Sequence, residues 1–391
     1  MYDFSASQDR RGTWCTQWDY IGDRFGAEDL LPFTISDMDF ATAPCVIEAL
    51  ERRLSHGVFG YSRWRHAEFL DALAGWYARR FHCRIDTTMA VFAPSVIYMA
   101  AQLIRQWSLP GQGVVVHTPA YDAFYHVVAA NGRRLLPSPL RREGDEWRCD
   151  MAHLETLLAR PDAKVLLLCN PHNPTGKVWS RDELRAMADL CERHGVRVIS
   201  DEIHMDMVWE GAHIPWSEVA TTAWALLTSA SKSFNIPALT GAYGFISDDG
   251  ARNDFSRHLK AADGLSSPAV LSVAAHIAAY EQGGPWLDEL RDYLLANLRY
   301  AADRLNQAFP QLRCRPPQST YLAWIDLRAL NVNDGDLQRI LIDREKLAIM
   351  PGLTYGIEGQ GFLRLNAGCP RAKIARGVAG LISALRRLAA G

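Results

Sequence analysis

The sequence predicts an α/β protein in which a large domain, built on a mostly parallel, doubly wound sheet, is followed by a smaller α/β domain. Three observations carry this reading. Short apolar runs alternate with amphipathic stretches through the middle of the chain, one pair of runs encloses a complete helix signature, and the texture changes after Gly283-Gly284-Pro285.

Val114 to Val116, Lys164 to Cys169, Val196 to Ser200, Ala225 to Thr228 and Ala242 to Ile246 read as strands. Between the second and third, Ser180-Arg181-Asp182-Glu183 has the spacing of a capping box. Leu184, Met187, Ala188 and Cys191 then share one helical face, and Gly195 is a stop signal. Units of this kind, joined by right-handed crossovers, build a doubly wound sheet that binds ligands beyond the carboxyl ends of its strands. Past Pro285, a helical pattern from Trp286 to about Phe309 leads to Pro316-Pro317 and a strand from Tyr321 to Leu327. Ile374, Val378, Leu381, Ile382 and Leu385 mark a last helix that packs the smaller domain. The expected organisation is an N-terminal segment over 1–45, a large domain over 46–285 and a small domain over 286–391. The first segment, with Trp14, Trp18, Tyr20, Phe33 and Phe40, is expected to wrap over another surface and to contribute to the small domain and a dimer.

At 391 residues the chain can bury a large core. Its 48% hydrophobic and 22% charged content, with a formal net charge of -2, argues against a disordered or nucleic-acid-binding chain. Arg133-Arg134 and Arg141-Arg142 lie beside acids or turn residues and read as solvated surface. Met1 to Ser5 lacks the pattern of a signal peptide and no apolar stretch approaches the length of a membrane helix, so a cytoplasmic protein is expected. The eight cysteines show no paired C-x-x-C spacing; they read as buried small hydrophobes, with no metal site expected.

Ser229-Ala230-Ser231-Lys232-Ser233-Phe234-Asn235 follows the strand ending at Thr228, which puts Lys232 at the carboxyl edge of the sheet. Flanking hydroxyls suit a phosphate, and a desolvated lysine amine becomes a nucleophile. A solvated surface turn fits the lysine alone equally well. Asp201, at the end of its strand and followed by Glu202-Ile203-His204, offers a carboxylate to a protonated ring nitrogen, although an acidic helix cap is as ordinary a reading. Asn170-Pro171-His172-Asn173-Pro174-Thr175-Gly176 forms a turn restrained by two prolines, rigid enough to hold the Asn173 amide towards a ring oxygen or simply to shape the chain. Three polar turns at successive strand ends converge on one crevice.

In that order, Asn-Pro-x-Asn-Pro-Thr-Gly, then aspartate, then Ser-x-Ser-Lys resembles the aspartate aminotransferase superfamily, the pyridoxal-phosphate enzymes of fold type I. Over essentially the whole chain the resemblance is closer to the MalY-type carbon-sulfur β-lyases, bacterial cystathionine β-lyases that also modulate the maltose regulon. Residues 12–19 (GTWCTQWD), 36–40 (SDMDF), 58–62 (VFGYS) and 364–370 (RLNAGCP) carry it. The resemblance implies pyridoxal 5'-phosphate as cofactor, with Lys232 forming the aldimine, Asp201 facing the pyridine nitrogen and Asn173 donating to the phenolic oxygen. It implies Tyr121 stacked on the ring, backbone N–H groups of Ser95, Val96 and Ile97 on the phosphate with the hydroxyls of Ser229 and Ser231, and Arg364 on the substrate carboxylate. Tyr61 is implied to reach the neighbouring subunit's phosphate in a homodimer. The implied reaction is β-elimination from cystathionine or another cysteine conjugate, giving a thiol, pyruvate and ammonia. A second implied role is restraint of a maltose-regulon transcriptional activator. One departure stands out: many aminotransferases of the superfamily have tyrosine three residues after the aspartate, where this chain has His204. Transamination stays open beside the lyase reading, since both begin with the same proton removal.

Overall fold

A computed structural model describes residues 2–6 and 8–390; Met1, Ser7 and Gly391, which belong to the terminal segments above, lie outside the described residues. Its strands are β1 (Leu31–Phe33), β2 (Ala90–Ala93), β3 (Gly113–Thr118), β4 (Arg134–Glu143), β5 (Glu146–Cys149), β6 (Ala163–Cys169), β7 (Arg197–Asp201), β8 (Trp224–Thr228), β9 (Ala242–Ile246), β10 (Leu322–Asp326), β11 (Leu347–Pro351) and β12 (Phe362–Asn366). They form two sheets, one of eight strands and one of four, and the chain divides into two units.

The larger unit spans 42–172 and 177–287. Its sheet has the order β2-β9-β8-β7-β6-β3-β4-β5. β4, β3, β6, β7 and β8 run parallel, whereas β9 opposes both its neighbours and β5 opposes β4. The sheet is thus mostly parallel, with β9 inserted against the grain. Every residue of β3, β8 and β9 is buried, which is why these strands read as unbroken apolar runs: a sheet covered on both faces has no solvent side to mark with polar residues. On one face Met99, Leu103 and Trp107 of the helix Val96–Trp107 pack with Val114, Leu167, Ile199 and Ala225. Burial of each large side chain contributes roughly 1.5–3 kcal/mol.

The helix Arg181–His194 carries both bonds of its capping box: Ser180 Oγ accepts from the Glu183 N–H at 3.1 Å and Glu183 Oε2 accepts from the Ser180 N–H at 2.9 Å. Gly195 stops it in the left-handed region at φ 64°. From β3 the chain steps to β4 on one side and later to β6, β7 and β8 on the other, so the strand order reverses between β3 and β6. That is where ligands bind in open sheets of this type.

The smaller unit spans 1–41, 173–176 and 288–391, with a sheet in the order β1-β11-β12-β10. The divisions therefore fall at 41/42 and 287/288, and Asn173–Gly176 groups with the smaller unit rather than with the strand it follows. Gly176 explains the grouping, since its carbonyl accepts from Ser319 N–H and Oγ, both at 2.9 Å. Of the cysteines, Cys45, Cys149 and Cys314 are half-buried, so the reading of all eight as buried holds for only the other five; their side chains sit near the surface of their elements. No helix among the described residues is long and apolar enough to cross a membrane, and no cluster of metal-ligating residues occurs among them.

Candidate active site

The Lys232 turn is built by backbone and hydroxyl bonds before its amine is considered. Phe234 N–H donates to Ala230 O at 2.9 Å and Ile236 N–H to Ser231 O at 3.0 Å, closing one helical turn around Lys232. Asn235 ends it with φ 52°, a left-handed conformation that asparagine tolerates better than most residues. Ser229, expected beside the phosphate, is also bonded within the loop. Its hydroxyl is buried, donates to Gly241 O at 2.7 Å and accepts from the Ser231 N–H at 3.1 Å, so it shapes the loop. On the far side Ser233 Oγ donates to Asp206 Oδ2 at 2.6 Å, and Asp206 Oδ1 accepts from Trp76 Nε1 at 3.0 Å.

Asp201 is the last residue of β7 and is buried. Burial pushes its carboxyl up to about 7; the Ile203 N–H, donating at 3.1 Å, and the charge of Lys232 pull it down, while neighbouring Glu202 adds to the rise. The lysine and the aspartate are thus electrostatic neighbours at the ends of adjacent strands. Glu202 points away from that pair into a buried hub. Its Oε1 accepts from Ser200 Oγ at 2.9 Å and Trp216 N–H at 2.8 Å, and its Oε2 lies 2.8 Å from His213 Nε2. Further bonds tie the three strand ends together: Asn170 N–H to Asp201 O at 2.9 Å and Glu202 N–H to Leu227 O at 2.8 Å. His204 is buried in the turn after β7, where its carbonyl accepts from Met207 N–H at 2.9 Å.

Ser95 caps the helix Val96–Trp107, its Oγ accepting from Tyr98 N–H at 3.1 Å. Val96 and Ile97 follow in the first helical turn, where backbone N–H groups have no partner within the helix and the macrodipole favours an anion. Tyr121 lies just past β3, at the start of the helix Asp122–Ala130, with Phe124 against its ring at 5.8 Å. Tyr61 is not brought to these residues. It is 99% exposed and lines a groove of about 530 Å³ with Phe59, Thr240 and Pro268.

In the smaller unit Arg364 is central in β12, paired with Trp324 of β10 and Met350 of β11, and is buried. Its Nη2 donates to Thr34 O at 2.9 Å and its Nη1 to Asn173 Oδ1 at 3.2 Å, with the guanidinium 4.5 Å from the Tyr355 ring centroid. Its Nε has no hydrogen-bond partner among the described residues, which leaves a buried cation short of an acceptor. Asn366, two residues on, donates to Ile35 O at 2.5 Å and Asp37 O at 2.7 Å and accepts from Gly368 N–H at 2.8 Å. Asp39 in turn accepts from Lys373 Nζ at 2.5 Å and Trp18 Nε1 at 3.0 Å. The segments around 17, 37 and 366 are therefore one network that frames the arginine.

His276, Asp206 and Glu202 with His213 are buried supports of the candidate residues that sequence reading missed. The acids had a signal, since both lie within five residues of Asp201, in the stretch Asp201-Glu202-Ile203-His204-Met205-Asp206. His276, on an apolar helix far along the chain, had none.

Residues 28–381 match the family described as Aminotransferase class I and II. The chain is 65% identical over 387 residues to Protein MalY of Escherichia coli (strain K12), covering 99% of each. It belongs to that family, as a MalY-type member of fold type I. The MalY-type chain is also 38% identical over 387 residues to the cystathionine beta-lyase PatB of Bacillus subtilis (strain 168), covering 98% of this chain and 100% of PatB. Cystalysin from Treponema denticola, whose crystal structure contains a pyridoxal 5'-phosphate cofactor, is similar with a TM-score of 0.93 at 27% identity, over 99% of this chain and 100% of that one.

Proposed function

We propose that this MalY-type chain is a pyridoxal-phosphate-dependent carbon-sulfur β-lyase, cleaving cystathionine and related cysteine S-conjugates to a thiol, pyruvate and ammonia. The observation that supports the cofactor is the buried Asp201 carboxylate held beside Lys232 at neighbouring strand ends, and the similarity to the cystathionine beta-lyase PatB favours the lyase over a transaminase.

The residues present suit the cofactor. A buried carboxyl raised to about 7 gains from a cationic ring nitrogen, and a helix N-terminus at Val96 and Ile97, with Ser95 and the Ser231 hydroxyl, suits its phosphate. We assign the Asn173 amide, whose Oδ1 accepts from Arg364, to the cofactor's phenolic oxygen, to which an amide N–H can donate. We assign Tyr121 to the ring face and His204 to a neighbouring position from which a neutral imidazole donates one N–H. When bound, pyridoxal phosphate supplies an electron sink for the substrate's α-carbon.

Lys232 would hold the cofactor, and its amine, once freed by the substrate amine, would take the α-proton as general base. Arg364 binds the substrate carboxylate through a planar fork held by Thr34 O and Asn173. The bond between the β-carbon and sulfur breaks, the electron pair leaves with sulfur, and the thiol forms on protonation. Water hydrolyses the released aminoacrylate to pyruvate and ammonia. Purified protein supplied with pyridoxal phosphate and cystathionine is expected to release pyruvate and free thiol in equal amounts. Absence of both with every cysteine conjugate tried overturns the lyase, and amino-group transfer at turnover rates from an amino acid without a leaving group makes the chain an aminotransferase instead.

The active form in this reading is a cytoplasmic homodimer, with Tyr61 completing the neighbouring subunit's phosphate site; its full exposure in a single chain supports this. The second role, restraint of a maltose-regulon activator, rests on the MalY-type resemblance. Capture of such an activator by the Lys232→Ala protein as well as by the parent chain is the expected result.

A further inference from the structure

We infer that His276 is a positioning residue for Lys232, acting through the backbone of Ser229-Ala230-Ser231. This rests on the lyase reading above.

His276 lies in the helix Val270–Gln282, fully buried. Its neighbours settle which ring nitrogen carries the proton. Ser272 O lies 2.8 Å from Nδ1 and can only accept, so Nδ1 bears the hydrogen. The Ala230 N–H points at Nε2 from 3.2 Å and can only donate, so Nε2 is the acceptor. Ser229 Oγ, 3.3 Å from Nε2, has already placed its proton on Gly241 O. With Nδ1 donating and Nε2 accepting the imidazole is neutral, and burial, which lowers its pKa to about 4, keeps it so.

The consequence reaches the lysine. Ala230 N–H, Ser229 Oγ and Ser231 N–H belong to the three residues before Lys232, and all are tied to one frame made of His276 and Gly241. The frame has no slack. A methyl group on Gly241 would meet Ser272 Oγ at 2.0 Å and Phe92 Cζ at 2.9 Å. On the other side of Lys232, Asp206 holds Ser233. An amine that must serve as covalent anchor and then as base has to be placed within about half an ångström, and that placement here comes from the loop's backbone. Packing alone does not call for an imidazole. The ring sits among Phe69, Phe92, Tyr243 and Tyr280, an aromatic cluster that a phenyl group would fill as well.

The test compares His276→Phe, which fills the volume without an acceptor, with His276→Gln, whose amide oxygen restores one. Both are studied as holoenzymes with cystathionine, and the pH midpoint of the visible band of lysine-bound cofactor is measured beside the kinetics. For His276→Phe we expect kcat to fall about tenfold or more, KM to move less than about threefold, and the midpoint to shift by at least about half a pH unit. His276→Gln is expected to stay within about twofold of the parent in kcat, with its midpoint unchanged. Should His276→Phe not fold, His276→Asn takes its place, because its shorter amide cannot reach the Ala230 N–H. The inference is overturned by a parent-like midpoint and kcat in the variant lacking the acceptor, or by equal damage in both variants with KM moving as far as kcat. If the parent protein takes up cofactor and releases pyruvate, such a result counts against His276 alone; a parent that does neither overturns the lyase reading and this inference together.

Discussion

Asp201 concentrates the conflict between stability and chemistry in one carboxyl group. Its ordinary pKa is 3.8 and the fold raises it to about 7 because burial disfavours the charge. A raised carboxyl weakens the fold progressively as pH climbs from about 4 to 7 and at full strength above that, by at most about 4 kcal/mol at 1.36 kcal/mol per unit. Asparagine keeps the shape and the acceptor for Ile203 N–H while removing the charge. Cofactor-free Asp201→Asn is therefore expected to melt higher than the parent at pH 8, with no such gain at pH 3.5, while pyruvate release falls by orders of magnitude. Equal melting temperatures at pH 8 would show that the burial is relieved in solution.

At the scale of elements, the 170–176 turn depends on a glycine that is easy to overlook. Gly176 has φ 70°, and a Cβ there would meet Pro317 Cβ at 2.3 Å and Ser319 O at 2.7 Å. Left-handed strain and a backbone collision act together, and neither is relieved by turning a flexible side chain. We expect Gly176→Ala to cost more than about 2 kcal/mol in denaturant unfolding and to raise KM, because Asn173, three residues earlier, shares the turn and its Oδ1 accepts from Arg364 Nη1. The two prolines of this turn were legible in the sequence. The need for glycine comes from Pro317 and Ser319, well over a hundred residues further on.

For the whole molecule, two sets of groups compete over pH. Burial lowers His117 to about 4, His172 to about 3 and His276 to about 4, all from 6.5. Each depressed histidine gives stability that is present above 6.5 and lost as pH falls through the window down to its folded value. Between pH 5 and 6 unfolding takes up at most three protons at these histidines and releases one at Asp201, so each unit of falling pH should lower stability by at most about 2.7 kcal/mol from these groups. Urea midpoints of the cofactor-free protein at pH 5 and 6 check this, and Asp201→Asn is expected to steepen the dependence. The proposed dimer has its own test. Lys232→Ala and Tyr61→Ala are each expected to be impaired, yet refolding the two together should restore up to about a quarter of parent activity, since half the dimers would carry one intact site of two. Mixtures no better than their components would remove Tyr61 from the neighbouring site.

The sequence by itself determined the parallel core, the capped helix before Gly195 and the chain order of the Asn173, Asp201 and Lys232 turns, because these depend on neighbours a few residues apart. It also carried the family, through motifs that stand in a characteristic order. Only the tertiary structure decided that Ser229 spends its proton on Gly241, that Asn173 pairs with Arg364, and that His276 receives the Ala230 N–H. The physical reason is that a hydroxyl, amide or imidazole can serve many partners, and which one it serves depends on what the fold brings within 3 Å. Burial does the same for charge: Asp201 looks like any aspartate at a strand end until the surrounding sheet removes its water.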